Sequence, residues 1–155
     1  MIEQIINFLL KNNKTISFAE SCTGGSLSSL ITKVPGASKF FKGSIVSYSH
    51  FSKTELLKVD IEKIIKYSAV SQEIAIEMAT NVRKQFKTDY SISITGNAGP
   101  TIDGIKSKVG DCFIAISYSE GVFSIYKNFL ADRDEFIQAA VNESINLFID
   151  KIINQ

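Results

Sequence analysis

The chain has little of the chemistry that builds metal centres or disulfide frameworks. It carries two cysteines, Cys22 and Cys112, far apart in 155 residues. That spacing argues against a disulfide scaffold or a structural zinc site, and the expectation is two reduced thiols in a cytoplasmic protein. It carries one histidine, His50, and no evident Ser-His-Asp set. The formal net charge is +1, and no basic stripe is interleaved with aromatics, so there is no electrostatic case for a nucleic-acid partner. The apolar runs are far shorter than a membrane span. The opening Met1-Ile2-Glu3-Gln4 has neither the basic region nor the long apolar run of a signal peptide. No repeat, low-complexity tract or linker divides the chain, which reads as a single domain over 1–155.

What is present is ordinary soluble-domain composition, 45% hydrophobic and 21% charged, in a chain long enough to bury a core. Ile2, Ile5, Ile6, Leu9 and Leu10 share one helical face. Thr15–Ala19 reads as a short buried strand. Leu27, Leu30, Ile31 and Val34 recur at helical spacing, predicting a helix from about Thr23 to Lys33 that stops at Val34-Pro35-Gly36-Ala37-Ser38. Ser44–Tyr48 is rich in strand-forming residues. Ser52 is the expected cap of a helix through Glu55, Leu56 and Leu57, and residues 60–67 read as another short helix. Ser71 caps a longer one whose apolar face runs from Ile74 to Phe86. Tyr90–Thr95 alternates as a third strand and ends in the glycine-bearing turn Thr95–Pro100 and a polar loop, Thr101–Lys108. Gly110–Tyr118 and Val122–Phe129 form a hairpin. Asp132 caps a last helix marked by Ile137, Val141, Ser144, Phe148 and Ile152. Alternating strands and helices make an α/β layered domain with a mixed, mostly parallel sheet.

The stretch Ala19-Glu20-Ser21-Cys22-Thr23-Gly24-Gly25 falls where the first strand becomes a helix. In α/β folds that junction lies at the carboxyl edge of the sheet, where ligands bind. The first turn of a helix has free N–H groups able to hold a phosphate or an oxyanion, although a capped helix start explains the same residues. Ser21 as a nucleophile needs a base. His50 is one candidate. Lys53 is another if burial lowers its pKa, with Tyr48 relaying a proton; alternatively Lys53 is a solvated lysine and Tyr48 a packed strand residue. Cys22 with His50 would make a thiol amidase, and Cys22 as a buried small residue is the simpler alternative. Arg133, in the first turn of the last helix, suits a phosphate or carboxylate, or an ion pair with Asp132 or Asp134.

Several segments in order carry a resemblance: Ala19–Gly25, Val34–Ser38, Tyr48 with Lys53, Ala69-Val70-Ser71, Thr95-Gly96-Asn97-Ala98-Gly99-Pro100, Val109-Gly110 and Asp132-Arg133. Together, over about Thr15 to Leu147, they resemble the CinA C-terminal family, which includes nicotinamide mononucleotide deamidases. The resemblance implies a three-layer α/β/α sandwich and an amidohydrolase that converts nicotinamide mononucleotide to nicotinate mononucleotide and ammonia, without metal or cofactor. Ser21 then corresponds to the nucleophile, and Tyr48 and Lys53 to its activating partners. Thr23, Gly24 and Gly25 would line the site, faced by Thr95, Gly96, Ala98 and Gly99, and Arg133 would hold the nucleotide phosphate. The resemblance also implies a homo-oligomer, and a stand-alone form without the amino-terminal domain of many relatives. The sequence departs from the family at Asn97, usually aliphatic, at Lys108 and Asp111, usually Pro and Thr, and in Thr101–Ser107, which lacks paired glycines.

Overall fold

The computed structural model describes residues 1–155. In chain order the elements are α1 (Ile2–Lys11), β1 (Ile16–Glu20), α2 (Ser26–Thr32), β2 (Phe41–Val46), α3 (His50–Leu57), α4 (Ile61–Tyr67), α5 (Gln72–Phe86), β3 (Tyr90–Gly96), β4 (Asp111–Tyr118), β5 (Gly121–Asn128) and α6 (Arg133–Phe148). The strands form one sheet in the order β2-β1-β3-β4-β5. β1 pairs in parallel with both β2 and β3, whereas β4 and β5 add in antiparallel register. The sheet is therefore mixed, with a parallel core, between two helical layers.

One face carries the main core. Ile16 and Phe18 of β1, Ile92 and Ile94 of β3 and Ile114 and Ile116 of β4 meet Leu9 of α1, Leu27 and Ile31 of α2 and Phe136 and Phe148 of α6. The other face is covered by α3, α4 and α5, through Leu57, Ile64, Ile74, Met78 and Val82. The alternation in β3 has a specific outcome. Its polar positions do not face water. Ser91 Oγ donates to Ala79 O at 2.6 Å, Ser93 Oγ to Ala75 O at 2.5 Å, and Thr95 Oγ1 to Ala69 O at 2.9 Å. Small hydroxyls on the strand and alanines on α5 let helix and sheet approach closely, with every buried hydroxyl in this row paired.

The chain leaves β1 for β2 on one side and returns to β3 on the other. That reversal opens a crevice at the carboxyl ends of β1, β2 and β3, the place where such sheets bind ligands. Three local structures there differ from the sequence expectation. α2 starts at Ser26 instead of Thr23, because Gly24 and Gly25 take left-handed conformations (φ +59° and +99°) that belong to a turn and not to a helix. β2 runs Phe41–Val46 instead of Ser44–Tyr48, so Tyr48 lies beyond the strand. α3 is capped by Ser49, not Ser52. Ser49 Oγ accepts from Ser52 N while Ser52 Oγ accepts from Ser49 N, a reciprocal box that begins the helix at His50. α6 ends at Phe148, and Ile152 lies in a wider turn, Ile149–Ile153.

The box at the head of α3 is expected to set that helix's stability. Ser49→Ala loses it, and the midpoint of urea unfolding should fall by the equivalent of about 1 kcal/mol.

Candidate active site

The turn after β1 is held by a buried carboxylate. Glu20, the last residue of β1, is fully buried. Its Oε1 accepts from Thr23 Oγ1 at 2.7 Å and from Leu27 N at 3.0 Å; its Oε2 accepts from Ser28 N at 3.0 Å and Ser28 Oγ at 2.5 Å. The first-turn N–H groups of α2 at Leu27 and Ser28 are thus occupied by the protein's own carboxylate. They are not free for a substrate phosphate or oxyanion; of the N–H groups at Thr23 to Gly25, where the sequence places the helix start, only that of Gly24 is bonded, to Ser21 O at 3.0 Å. An acid placed just before a helix start attracts that helix's positive end, a signal the sequence reading passed over.

With the turn so anchored, Ser21 is set against the sheet edge, its N–H donating to Ile94 O at 3.0 Å. Lys53 reaches it from α3. Lys53 Nζ lies 2.8 Å from Ser21 Oγ and 2.8 Å from Ser47 O. Lys53 is 3% exposed, and no carboxylate is paired with it. Burial pushes its amine down from 10.5 to about 8, although Cys22 and Asp103 pull the other way. A protonated amine here donates to Ser21 and Ser47; a neutral one can take the serine's proton. Ser47 enters through its backbone carbonyl, so its side chain offered no clue.

These groups open on a cavity of about 230 Å³. Tyr48, Thr95, Gly96, Ala98, Gly99 and Arg133 line it with Ser21 and Lys53, whereas Thr23, Gly24 and Gly25 do not. Tyr48 is exposed and hydrogen-bonds neither Ser21 nor Lys53. Its hydroxyl oxygen accepts from Arg133 Nη1 at 3.5 Å, so the two stand together at the rim. Arg133 forms no ion pair with Asp132 or Asp134. Gly96 sits where no side chain fits: a Cβ there would lie 2.7 Å from Asp111 O and 2.9 Å from Phe136. Cys22 also lines the cavity, and the buried Cys112 has its thiol pushed up by the neighbouring Cys22 and by burial. His50 donates from Nε2 to Asp103 Oδ1 at 2.5 Å and makes no bond to Cys22, which leaves the thiol–imidazole pair unformed.

The departures from the family pattern form one hydrogen-bonded structure. Asn97 Nδ2 donates to Ser107 Oγ at 2.8 Å and Lys108 O at 3.1 Å, and its Oδ1 accepts from Asp103 N at 3.1 Å. Lys108 N donates to Asp111 Oδ2 at 2.7 Å. The loop lacks paired glycines and is tied down by side chains instead. Asp103, within that polar loop, was missed in the sequence because nothing local marks it as facing His50.

This is an α/β sandwich domain with a buried serine–lysine pair at the carboxyl edge of its sheet. The sequence relationships are narrower. Residues 1–152 match the family described as the CinA C-terminal domain, and the chain belongs to that family. It is 46% identical over 153 residues to a CinA-like protein of Flavobacterium psychrophilum, covering 98% of this chain and 37% of that protein. A CinA-like protein of Fervidobacterium nodosum is 44% identical over 133 residues, 86% of this chain and 33% of that one. The chain thus spans about a third of the length of these curated relatives. Among solved structures it is similar to a competence-damaged protein (CinA) superfamily member from Escherichia coli, with a TM-score of 0.91 at 27% identity, covering 94% of this chain and 85% of that one. It is also similar to a competence/damage-inducible protein from Agrobacterium tumefaciens, with a TM-score of 0.91 at 27% identity over 99% and 93% of the two chains.

Two measurements test the anchoring. The unfolded chain binds a proton at Lys53 that the folded protein has shed between pH 8 and 10.5, so this residue's contribution to stability rises with pH across that window. Relative to Lys53→Met, the wild type should therefore gain about 3 kcal/mol of unfolding free energy between pH 7 and pH 10.5. Glu20→Gln presents an NH₂ to donors that need an acceptor, and calorimetry should show a loss of about 2–3 kcal/mol.

Proposed function

We propose that this protein is an amidohydrolase that deamidates nicotinamide mononucleotide to nicotinate mononucleotide and ammonia. The observation that carries the reading is the buried amine of Lys53, 2.8 Å from Ser21 Oγ and held near pH 8. A serine hydroxyl is too weakly acidic to attack an amide unaided, and an uncharged amine at this distance is the base it needs. The substrate is the one implied by the family resemblance.

Ser21 Oγ attacks the carboxamide carbon as neutral Lys53 takes the hydroxyl proton. The tetrahedral oxyanion needs donors. Since Leu27 and Ser28 N–H are bound to Glu20, the role passes to the N–H groups of Cys22 and Thr23, which follow Ser21 and have no acceptor within the chain. One such donor is worth about 3 kcal/mol in the transition state. Lys53 returns the proton to the departing nitrogen, ammonia leaves, and an ester to Ser21 remains. Water then attacks the ester, giving its proton to Lys53, which passes it to Ser21 Oγ as nicotinate mononucleotide is released. Arg133 and Tyr48 at the rim are placed to take the nucleotide phosphate. Tyr48 acts there and not as a proton relay, since its hydroxyl bonds Arg133 and neither Ser21 nor Lys53.

Ammonia release from nicotinamide mononucleotide tests the reading. Ser21→Ala and Lys53→Met should each lower kcat by about 10³-fold or more, with folding unchanged by circular dichroism. The wild-type rate should rise with pH and level off above about pH 8, as Lys53 loses its proton. Arg133→Ala should raise KM with a smaller effect on kcat. A folded wild type without turnover overturns the amidase in favour of a catalytically silent nucleotide-binding or interaction module on the same fold.

A further inference from the structure

Asp103 is the one carboxylate on the cavity wall, and it is bonded on every side. Its Oδ1 accepts from His50 Nε2 at 2.5 Å; its Oδ2 accepts from Ser68 Oγ at 3.0 Å and Ala69 N at 2.9 Å. Its backbone is held as well, the N–H by Asn97 Oδ1 and the carbonyl by Ser107 Oγ at 2.8 Å. One residue therefore joins three elements around the cavity: the loop after β3, the α4–α5 junction, and the first turn of α3. His50 and Lys53 are three residues apart on α3 and share a face of it. The His50–Asp103 bond thus fixes the turn from which Lys53 reaches Ser21, and sets a negative charge beside the lysine.

We propose that Asp103 is a positioning residue for Lys53: it locks the head of α3 to the cavity wall through His50 and sets its negative charge toward the lysine. This rests on the reading of Lys53 as the base for Ser21. The titratable groups lining the cavity with Lys53 are Cys22 after β1, Tyr48 after β2, His50 on the same helix, Asp103 after β3 and Arg133 on α6. Burial drives the lysine toward the neutral amine, and Cys22 and then Asp103 oppose it. Asp103 stays ionised, its carboxyl held below the usual range by His50, Ala69 and Ser68 despite partial burial. Without that charge the amine would shed its proton at lower pH.

The test is to follow the lysine side-chain signals of the full chain by NMR from pH 6 to pH 11, with Lys53 assigned by its absence in Lys53→Met. Asp103→Asn should move the Lys53 midpoint to lower pH. Asp103→Ser, which also removes the charge, should do the same and stands in if the first variant does not fold. His50→Gln keeps a donor to Asp103 and leaves the carboxylate in place, so its midpoint should match the wild type. A wild-type midpoint in both Asp103 variants overturns the proposal, and an equal downward shift in His50→Gln overturns the part given to the charge, leaving the lock of α3 alone. The titration is read whether or not any amide is hydrolysed. Absent turnover with a displaced Lys53 therefore fails only the amidase reading. Where turnover is present, the acid limb of its pH profile should move with the lysine.

Discussion

A lysine amine buried without a carboxylate is the constraint around which this structure is arranged. Desolvation disfavours the ammonium, and the only groups offered to Nζ are the Ser21 hydroxyl and the Ser47 carbonyl. An amine in such a place is stable only if its own helix and both acceptors are rigidly placed. Each is. The reciprocal serine box sets where α3 begins. The end of β2, whose neighbour β1 is paired on both sides, places Ser47. The Glu20 carboxylate pins the turn that presents Ser21.

The two ionisable groups flanking the turn are treated in opposite ways. Glu20 is surrounded by four donors and needs no cation, because the helix start it faces supplies both N–H groups and a favourable dipole. Lys53 has two neutral acceptors and no ion pair, which leaves its charge undercompensated and its proton loosely held. The first arrangement makes a fixed structural anchor. The second leaves an amine that sheds its proton easily, with some stability lost below pH 8. The core behind them is conventional, with Phe136 and the strand isoleucines on one face and close packing of α5 over strand serines on the other.

Much of the fold was legible because its elements are locally specified. The apolar spacing of Ile74 to Phe86, the alternation of Tyr90–Thr95 and the caps at Ser71 and Asp132 all became the expected elements. The local errors have a common origin. At Ser49–Ser52 two serines compete for the same cap, and the reciprocal bond that decides between them exists only once the helix has formed. At Gly24-Gly25 the glycines permit both a helix and a left-handed turn, and the pull of Glu20 on Leu27 and Ser28 selects the turn. The contact of Lys53 with Ser21 follows from local motifs near two strand ends, whereas the contact of Tyr48 with Arg133 depends on how α6 packs. Asp103 was unmarked because its partners come from α3 and the α4–α5 junction.

The sequence by itself determined the order and kind of the elements, the glycine-bearing turns at strand ends and the family, since these depend on local periodicity, turn chemistry and motifs in register. Only the tertiary structure decided which hydroxyls, amines and carboxylates meet. Burial, and with it the protonation of Lys53, belongs to no single segment: it is created where β1, β2, α3 and the loop after β3 close around one cavity.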